Sequence, residues 1–128
     1  MIAKPKLPVG TLVVVDDHAG FRQAVRAMLT AAGWQVIGEV STGAAASDMV
    51  MRLTPDLVLL DVVLPDTDGF AVAERLAAAG CRSAVVLISG HDRSDFEGRL
   101  RAAPVRGFLA KEMISGPALA QLLDGDRP

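Results

Sequence analysis

Polar residues follow four short apolar runs of this sequence, at the point where each run ends. Asp16 and Asp17 follow residues 11–15, Asp61 ends the run that begins at residue 57, Ser89 follows residues 84–88, and Lys111 follows residues 107–110. Carboxylate oxygens are the ligands that Mg²⁺ prefers, and carboxylates, hydroxyls and ammonium groups that converge at one place can do chemistry together. Each residue alone also fits a helix cap, a turn or an exposed side chain. The chemical interpretation therefore depends on whether the fold brings them together.

The apolar runs predict five strands that alternate with five helices. The predicted strands cover residues 11–15, 35–40, 57–61, 84–88 and 107–110. The predicted helices cover residues 19–32, 44–53, 70–79, 94–102 and 117–123. Strict alternation favours an α/β fold, a doubly wound five-stranded parallel sheet with helices on both faces. Because the carboxyl ends of parallel strands share one edge, where ligands bind in such sheets, the polar residues are expected to meet there.

The charges of these residues do not balance. Three carboxylates and the single ammonium of Lys111 leave two negative charges uncompensated. At a separation of about 4 Å and an effective dielectric constant of about 20, each pair of carboxylates repels by about 4 kcal/mol. One divalent cation cancels the excess, and an all-oxygen ligand set with room for water fits Mg²⁺.

Helical spacing predicts which residues face the core. For the first helix these are Phe21, Ala24, Val25, Met28, Leu29 and Ala32, and for the second they are Ala45, Met49, Val50 and Leu53. Trp34 is expected to pack at the rim of the sheet. These side chains would cover the strands that carry the polar residues.

Length and composition indicate one globular domain. The chain has 128 residues, of which 51% are hydrophobic and 22% charged, and its net charge is -2. We expect a flexible N-terminal arm over residues 1–9, the domain over residues 10–123, and a frayed tail over residues 124–128. Cys81 is the single cysteine, so it is expected to be structural rather than paired.

Several classes of function are disfavoured. No cluster of lysine and arginine stands out, so direct contact with nucleic acid is not expected. No apolar run approaches the roughly 18 residues of a membrane span, and the N-terminus lacks the apolar core of a signal peptide. We therefore expect a cytoplasmic protein.

The ordered set of motifs resembles the receiver domain of bacterial two-component response regulators. The matching stretches are 14–17, 59–61 with Pro65 and residues 68–69, Ser89 after its strand, and 107–111. The resemblance covers residues 10–123 and implies a flavodoxin-like receiver fold. It also implies Mg²⁺-dependent phosphorylation of Asp61 by a sensor histidine kinase, a phosphotransfer protein or a small phosphodonor. Such a domain is a signalling phosphoacceptor, which catalyses only its own phosphorylation and dephosphorylation.

The resemblance also implies residue roles. Asp17, Asp61 and the Val63 carbonyl would bind Mg²⁺ directly, and Asp16 would bind it through water. Lys111 and Ser89 would hold phosphoryl oxygens. Ser89 and Phe108 would form the switch, Val63 and His91 would tune dephosphorylation, and the fourth helix, fifth strand and fifth helix would form a surface for a partner or for self-association.

Some residues depart from the family pattern. Glu112 replaces the proline that usually follows the lysine, so the Lys111–Glu112 peptide bond is expected to be trans. Phe108 replaces the commoner tyrosine, so its ring is expected to lie inward even without phosphate, which would mute the switch. Two alternatives remain: a receiver-like interaction module that does not use phosphate, and a phosphatase with an aspartate nucleophile. The phosphatase family has a second acid two residues after the nucleophile, where this chain has Val63.

Overall fold

The computed structural model describes residues 9–124, and within them five strands alternate with five α-helices, as predicted. The strands are β1 (Gly10–Val15), β2 (Trp34–Val40), β3 (Leu57–Asp61), β4 (Ala84–Ser89) and β5 (Gly107–Ala110). The helices are α1 (Ala19–Ala31), α2 (Gly43–Leu53), α3 (Gly69–Ala78), α4 (Glu97–Ala102) and α5 (Gly116–Asp124). Short 3-10 turns cover Arg93–Phe96 and Lys111–Met113. The predicted arm and tail lie almost wholly outside the described residues.

All five strands run parallel, in the order β2-β1-β3-β4-β5. The strand order reverses at β1, so the crevice beside β1 and β3 is the position where such sheets bind ligands. Asp61 is the last residue of β3, and Asp16 directly follows β1. The topology therefore places the acids of the sequence analysis side by side.

Alternating residues of the strands build a core on each face of the sheet. Val13, Val15, Val58, Leu60 and Leu87 pack on the face covered by α2, α3 and α4. Leu12, Val14, Leu57, Leu59 and Ile88 pack on the face covered by α1 and α5. Residues two apart in a strand point to the same side, so each apolar run supplies both cores at once.

The core-facing sides of the first two helices are narrower than predicted. In α1, Val25 and Leu29 are buried while Ala24 and Met28 are exposed. In α2, Val50 is buried as predicted, whereas the predicted Ala45 and Met49 are only half-buried and Leu53 is exposed. Gly43 and Ala46 are buried instead. Helix residues four apart point in nearly the same direction, so they can both contact the sheet when the contact is narrow. Residues at the edges of the apolar face then remain exposed to solvent.

Trp34 was expected at the rim but is only 4% exposed and belongs to the core. Its ring lies close to Gly10, where an added Cβ would approach the indole to 3.0 Å. Because Gly10 has no side chain, the indole can pack against the start of β1.

No helix within residues 9–124 is long and apolar enough to cross a membrane.

Candidate functional site

Three aspartates meet at the carboxyl edge of the sheet. Asp16 is completely buried, Asp61 is 4% exposed, and the side chain of Asp17 is 38% exposed. One ligand atom from each, together with one from His18, lies within 4.8 Å of the others. The acids border a depression of about 260 Å³ lined by Asp17, His18, Asp61, Val63, Ser89, Gly90, His91 and Lys111. The structure thus brings together the acids, the serine and the lysine identified in the sequence.

Lys111 is the ammonium of the cluster, and it follows β5 directly. Its Nζ lies 2.6 Å from Asp16 Oδ2 and 3.0 Å from Asp61 Oδ2. The Asp61 contact is a hydrogen bond, whereas Asp16 Oδ2 is buried and accepts no well-aligned hydrogen bond. The ammonium also lies 4.6 Å from the centre of the Phe21 ring, a cation–π contact. Its Lys111–Glu112 peptide bond is trans, as predicted, since no cis bond occurs within the described residues.

The pKa values of the two buried carboxyls, Asp16 and Asp61, are shifted in opposite directions. Burial raises the pKa of Asp61, and its bond to Lys111 offsets this only in part. Burial also opposes ionisation of Asp16, but Lys111 and the His18 N–H outweigh it and lower the pKa of Asp16. Burial acts against the charge of Lys111, yet both aspartates hold its pKa above the usual value. Lys111 therefore stays protonated at neutral pH, and of the two buried acids Asp61 is the one whose charge is less well compensated.

The loop after β1 has a tight turn that sequence reasoning missed. The His18 backbone N–H donates to Asp16 Oδ1 at 2.8 Å, and the His18 ring Nδ1 lies 3.1 Å from Asp16 Oδ1 and 3.0 Å from Asp17 Oδ1. His18 is the N-cap residue of α1, so Asp17 does not cap that helix. The sequence Asp16-Asp17-His18 could have predicted this turn, because an aspartate side chain often accepts the backbone N–H two residues later. The imidazole adds a third polar group beside the acid pair.

The loop between β3 and α3 packs closely against Asp61. The Val63 N–H donates to Asp61 Oδ1 at 3.1 Å, while Val63 as a whole residue is 58% exposed. An added Cβ on Gly69 would lie 2.5 Å from the Asp61 carbonyl oxygen, so this position excludes any side chain. The carboxylate of Asp66 accepts the Gly43 and Ala44 N–H groups at 2.8 and 3.0 Å. These two bonds lower the pKa of Asp66 and attach the loop to the start of α2.

Ser89 and His91 lie on the β4 side of the depression. Ser89 is buried, and its Oγ accepts the His91 N–H at 2.9 Å. Phe108 does not line the depression; it is 6% exposed and belongs to the core under α2, α3 and α4. The inward ring predicted for Phe108 is thus observed.

A row of aromatic rings connects Phe108 to α3. The Phe96 ring centre lies 6.0 Å from Phe108 and 6.0 Å from Phe70, and 6.4 Å from the ring of His91. Arg99 of α4 stacks over Phe70 at 4.1 Å and pairs with Asp68 at 3.3 Å. The 3-10 turn before α4 therefore contacts β5 through Phe96, and α4 itself contacts the start of α3 through Arg99.

Comparison with known proteins agrees with this architecture. Residues 12–123 match the family described as "Response regulator receiver domain". The chain is 34% identical over 114 residues to "Probable transcriptional regulatory protein NarL" of Mycobacterium tuberculosis, covering 88% of this chain and 53% of that protein. It is 30% identical over 122 residues to "Response regulator GacA" of Pseudomonas aeruginosa, covering 91% and 56%. The signal receiver domain of NarL from M. tuberculosis superposes with a TM-score of 0.80 at 31% identity, covering 96% of this chain and all of that one.

The fold and the family match define a response regulator receiver domain, and this chain belongs to that family. Its homologues include a probable transcriptional regulatory protein and a response regulator. The chain spans about half the length of these curated relatives.

Proposed function

We propose that this chain is the phosphoacceptor of a two-component response regulator and that Asp61 is the residue phosphorylated. The observation that carries the proposal is the environment of Asp61: a buried carboxylate at the floor of an open depression, 3.0 Å from Lys111 and beside two further acids. The donor would be a sensor histidine kinase, a phosphotransfer protein or a small phosphodonor. The chain would act as a signalling protein, catalysing only its own phosphorylation and dephosphorylation.

The acid cluster fits a bound Mg²⁺. Asp16 Oδ2 is buried and contacts the Lys111 ammonium, which Asp61 shares, so the three carboxylates of the described cluster carry two negative charges more than Lys111 offsets. Oxygens of Asp16, Asp17 and Asp61 lie within 4.8 Å of one another, close enough to share one cation. By resemblance to the family, Asp17, Asp61 and the Val63 carbonyl would hold Mg²⁺ directly and Asp16 would hold it through water. When bound, Mg²⁺ supplies positive charge to the phosphoryl oxygens.

The residues of the chain supply the rest of the chemistry. A carboxylate oxygen of Asp61 attacks phosphorus, the bond from phosphorus to the donor breaks, and an acyl phosphate forms. Lys111 is already held at the site and neutralises one phosphoryl oxygen. Ser89 Oγ accepts the His91 N–H, so its own hydrogen is free to be donated to another phosphoryl oxygen.

The proposal is tested by incubating the protein with acetyl phosphate and Mg²⁺, followed by intact mass spectrometry. We expect one added phosphoryl group, and no addition when Mg²⁺ is removed by a chelator. Asp61→Asn should not be labelled, whereas Asp48→Asn, which changes an exposed acid of α2, should be labelled like the wild type. Equal labelling of Asp61→Asn and the wild type would contradict the assignment.

The output is proposed to involve the surface formed by α4, β5 and α5, with Ser89 and Phe108 as the switch. Phe108 is already buried in the described structure, so only a small further preference for the inward ring remains to be gained. We expect association through this surface, with a partner or with a second copy, to change about tenfold or less on phosphorylation. Titration of the unmodified and phosphorylated forms tests this, and a change of about a hundredfold or more would contradict it.

A further inference from the structure

Arg22 of α1 ties the acid-bearing end of β1 to β2. Its Nη1 donates to the backbone carbonyl oxygen of Asp16 at 2.6 Å, and its Nε donates to Glu39 Oε1 at 3.3 Å. The guanidinium is largely shielded, with the side chain 19% exposed. A planar fork of donors can satisfy two such acceptors at once, which an ammonium does less well.

The Asp16 carbonyl accepts from Arg22 because the neighbouring strand does not supply a backbone N–H to it. The N–H and C=O of one residue in a parallel sheet face the same neighbouring strand, and the Asp16 N–H bonds to β2. The pairing of β1 with β2 ends where Val15 pairs with Val40, so β2 provides no further paired residue opposite the Asp16 carbonyl. A buried carbonyl without a hydrogen bond is costly, and Asp16 is fully buried. Arg22 therefore replaces the strand as the partner of this peptide group.

The N–H of Asp16 is also fixed, since it donates to the Val40 carbonyl at 3.1 Å. The position of this residue is thus set by β2, through its N–H, and by Arg22, through its carbonyl. The Asp16 carbonyl belongs to the peptide unit that leads directly into Asp17. Rotation of that unit would redirect both carboxylates of the acid pair.

We propose that Arg22 is a positioning residue for the divalent-cation site: by holding the Asp16 carbonyl, it aims the carboxylates of Asp16 and Asp17. The inference rests on the proposed function, because it concerns the same Mg²⁺ site. Arg22 is not a ligand, so its loss lowers the affinity for Mg²⁺ without removing a donor. Loss of a group that orients metal ligands typically costs about 10–100-fold in affinity.

Arg26 provides a matched control. It lies one turn further along α1, carries the same charge, and its Nε contacts Glu39 Oε2 at 2.5 Å. Arg22→Gln and Arg26→Gln each remove one ion pair with Glu39. Only the first removes the bond to the Asp16 carbonyl, so a difference between the variants reports on that bond.

The experiment is titration of Mg²⁺ into the wild type and the two glutamine variants by isothermal calorimetry. We expect binding about tenfold weaker in Arg22→Gln and within about twofold of the wild type in Arg26→Gln. Equal affinities in the two variants would overturn the inference and leave the proposed function intact. Absence of Mg²⁺ binding by the wild type would instead contradict the proposed function.

A second readout separates positioning from a general loss of structure. With acetyl phosphate as donor, Arg22→Gln should need more Mg²⁺ for half-maximal labelling but reach the wild-type rate at saturating Mg²⁺. Arg22→Lys retains the charge and one donor, so it should bind Mg²⁺ about threefold more weakly than the wild type. If Arg22→Gln does not fold, wild-type affinity in Arg22→Lys overturns the inference and weakened affinity supports it.

Discussion

Replacing Asp61 by asparagine is expected to stabilise the protein at neutral pH, although it removes the proposed phosphoacceptor. The two side chains have nearly the same shape, so the substitution changes the charge and little else. The charge is unfavourable where it lies, because burial raises the pKa of Asp61 and Lys111 is shared with Asp16. An asparagine would leave Lys111 paired one to one with Asp16.

The distances set the size of the effect. At an effective dielectric constant of about 20, the attraction between Lys111 and Asp61 at 3.0 Å is about 5.5 kcal/mol. Repulsion between Asp16 and Asp61, at 4.8 Å or less, is at least about 3.5 kcal/mol, and the more exposed Asp17 adds a screened repulsion. These contributions nearly cancel, so the cost of burying the charge decides the sign. We expect a gain of about 1–3 kcal/mol in the free energy of unfolding.

The assay is urea unfolding in the presence of a chelator, followed by the fluorescence of Trp34, the single and buried tryptophan. For a domain of this size, 1 kcal/mol corresponds to about 3–5 °C in Tm, so thermal unfolding gives an independent check. Asp48→Asn serves as the control for removal of an exposed acid and should match the wild type.

The pH dependence follows from the direction of the shift. The pKa of Asp61 is higher in the folded than in the unfolded protein, so its ionisation destabilises the fold at every pH above the folded value. As pH falls below the folded pKa toward the lower unfolded pKa, the advantage of asparagine shrinks, and below the unfolded pKa it is gone. A variant less stable than the wild type at pH 7, or an advantage that grows in acid, would refute the reasoning.

Three further outcomes are expected. Val63→Asn should lose its phosphoryl group about fivefold faster than the wild type, because an amide can hold the attacking water through one hydrogen bond of about 1 kcal/mol; equal decay rates followed by mass spectrometry would exclude a role for Val63. Gly69→Ala should lower the free energy of unfolding in urea by about 2–3 kcal/mol, since its Cβ would press on the Asp61 carbonyl. Gly20→Ala in α1, where an added Cβ has nothing within 4 Å, should instead raise it by about 0.4–1 kcal/mol. Similar effects of the two substitutions would contradict this. Asp66→Asn should lower Tm at neutral pH while Asp48→Asn does not. This difference in Tm between the two variants should close as pH falls through the lowered pKa of Asp66, because the side chain then no longer accepts the α2 N–H groups as an anion. A difference in Tm that does not depend on pH would show that this charge is not involved.

The fold and the acid site could be predicted because both depend on local patterns. Each strand is a short apolar run, and its polar end residue is read directly from the sequence. Parallel topology then brings those ends together without any knowledge of side-chain contacts. Asp16, Asp61, Ser89 and Lys111 were located in this way.

The rest could not be predicted, because it depends on how side chains pack across the sequence. The burial of Trp34 requires knowing that Gly10 lies beside it. The roles of His18 and Arg22 depend on the path of a loop and on which N–H groups the next strand has left unused. Helical periodicity located the inward side of α1 but could not say how wide a stripe the sheet covers.

The row of Phe70, Phe96 and Phe108 has a consequence for signalling that reaches beyond β5. Because Phe96 touches rings on both sides, any change in the preferred position of Phe108 also changes the free energy of the contacts at the start of α3. Coupling between two sites is reciprocal. If Phe108 responds to phosphorylation of Asp61 as proposed, a protein that binds near Arg99 and Phe70 and favours one arrangement of the rings would alter the equilibrium of that phosphorylation. The factor would equal the one by which phosphorylation alters the binding of that protein.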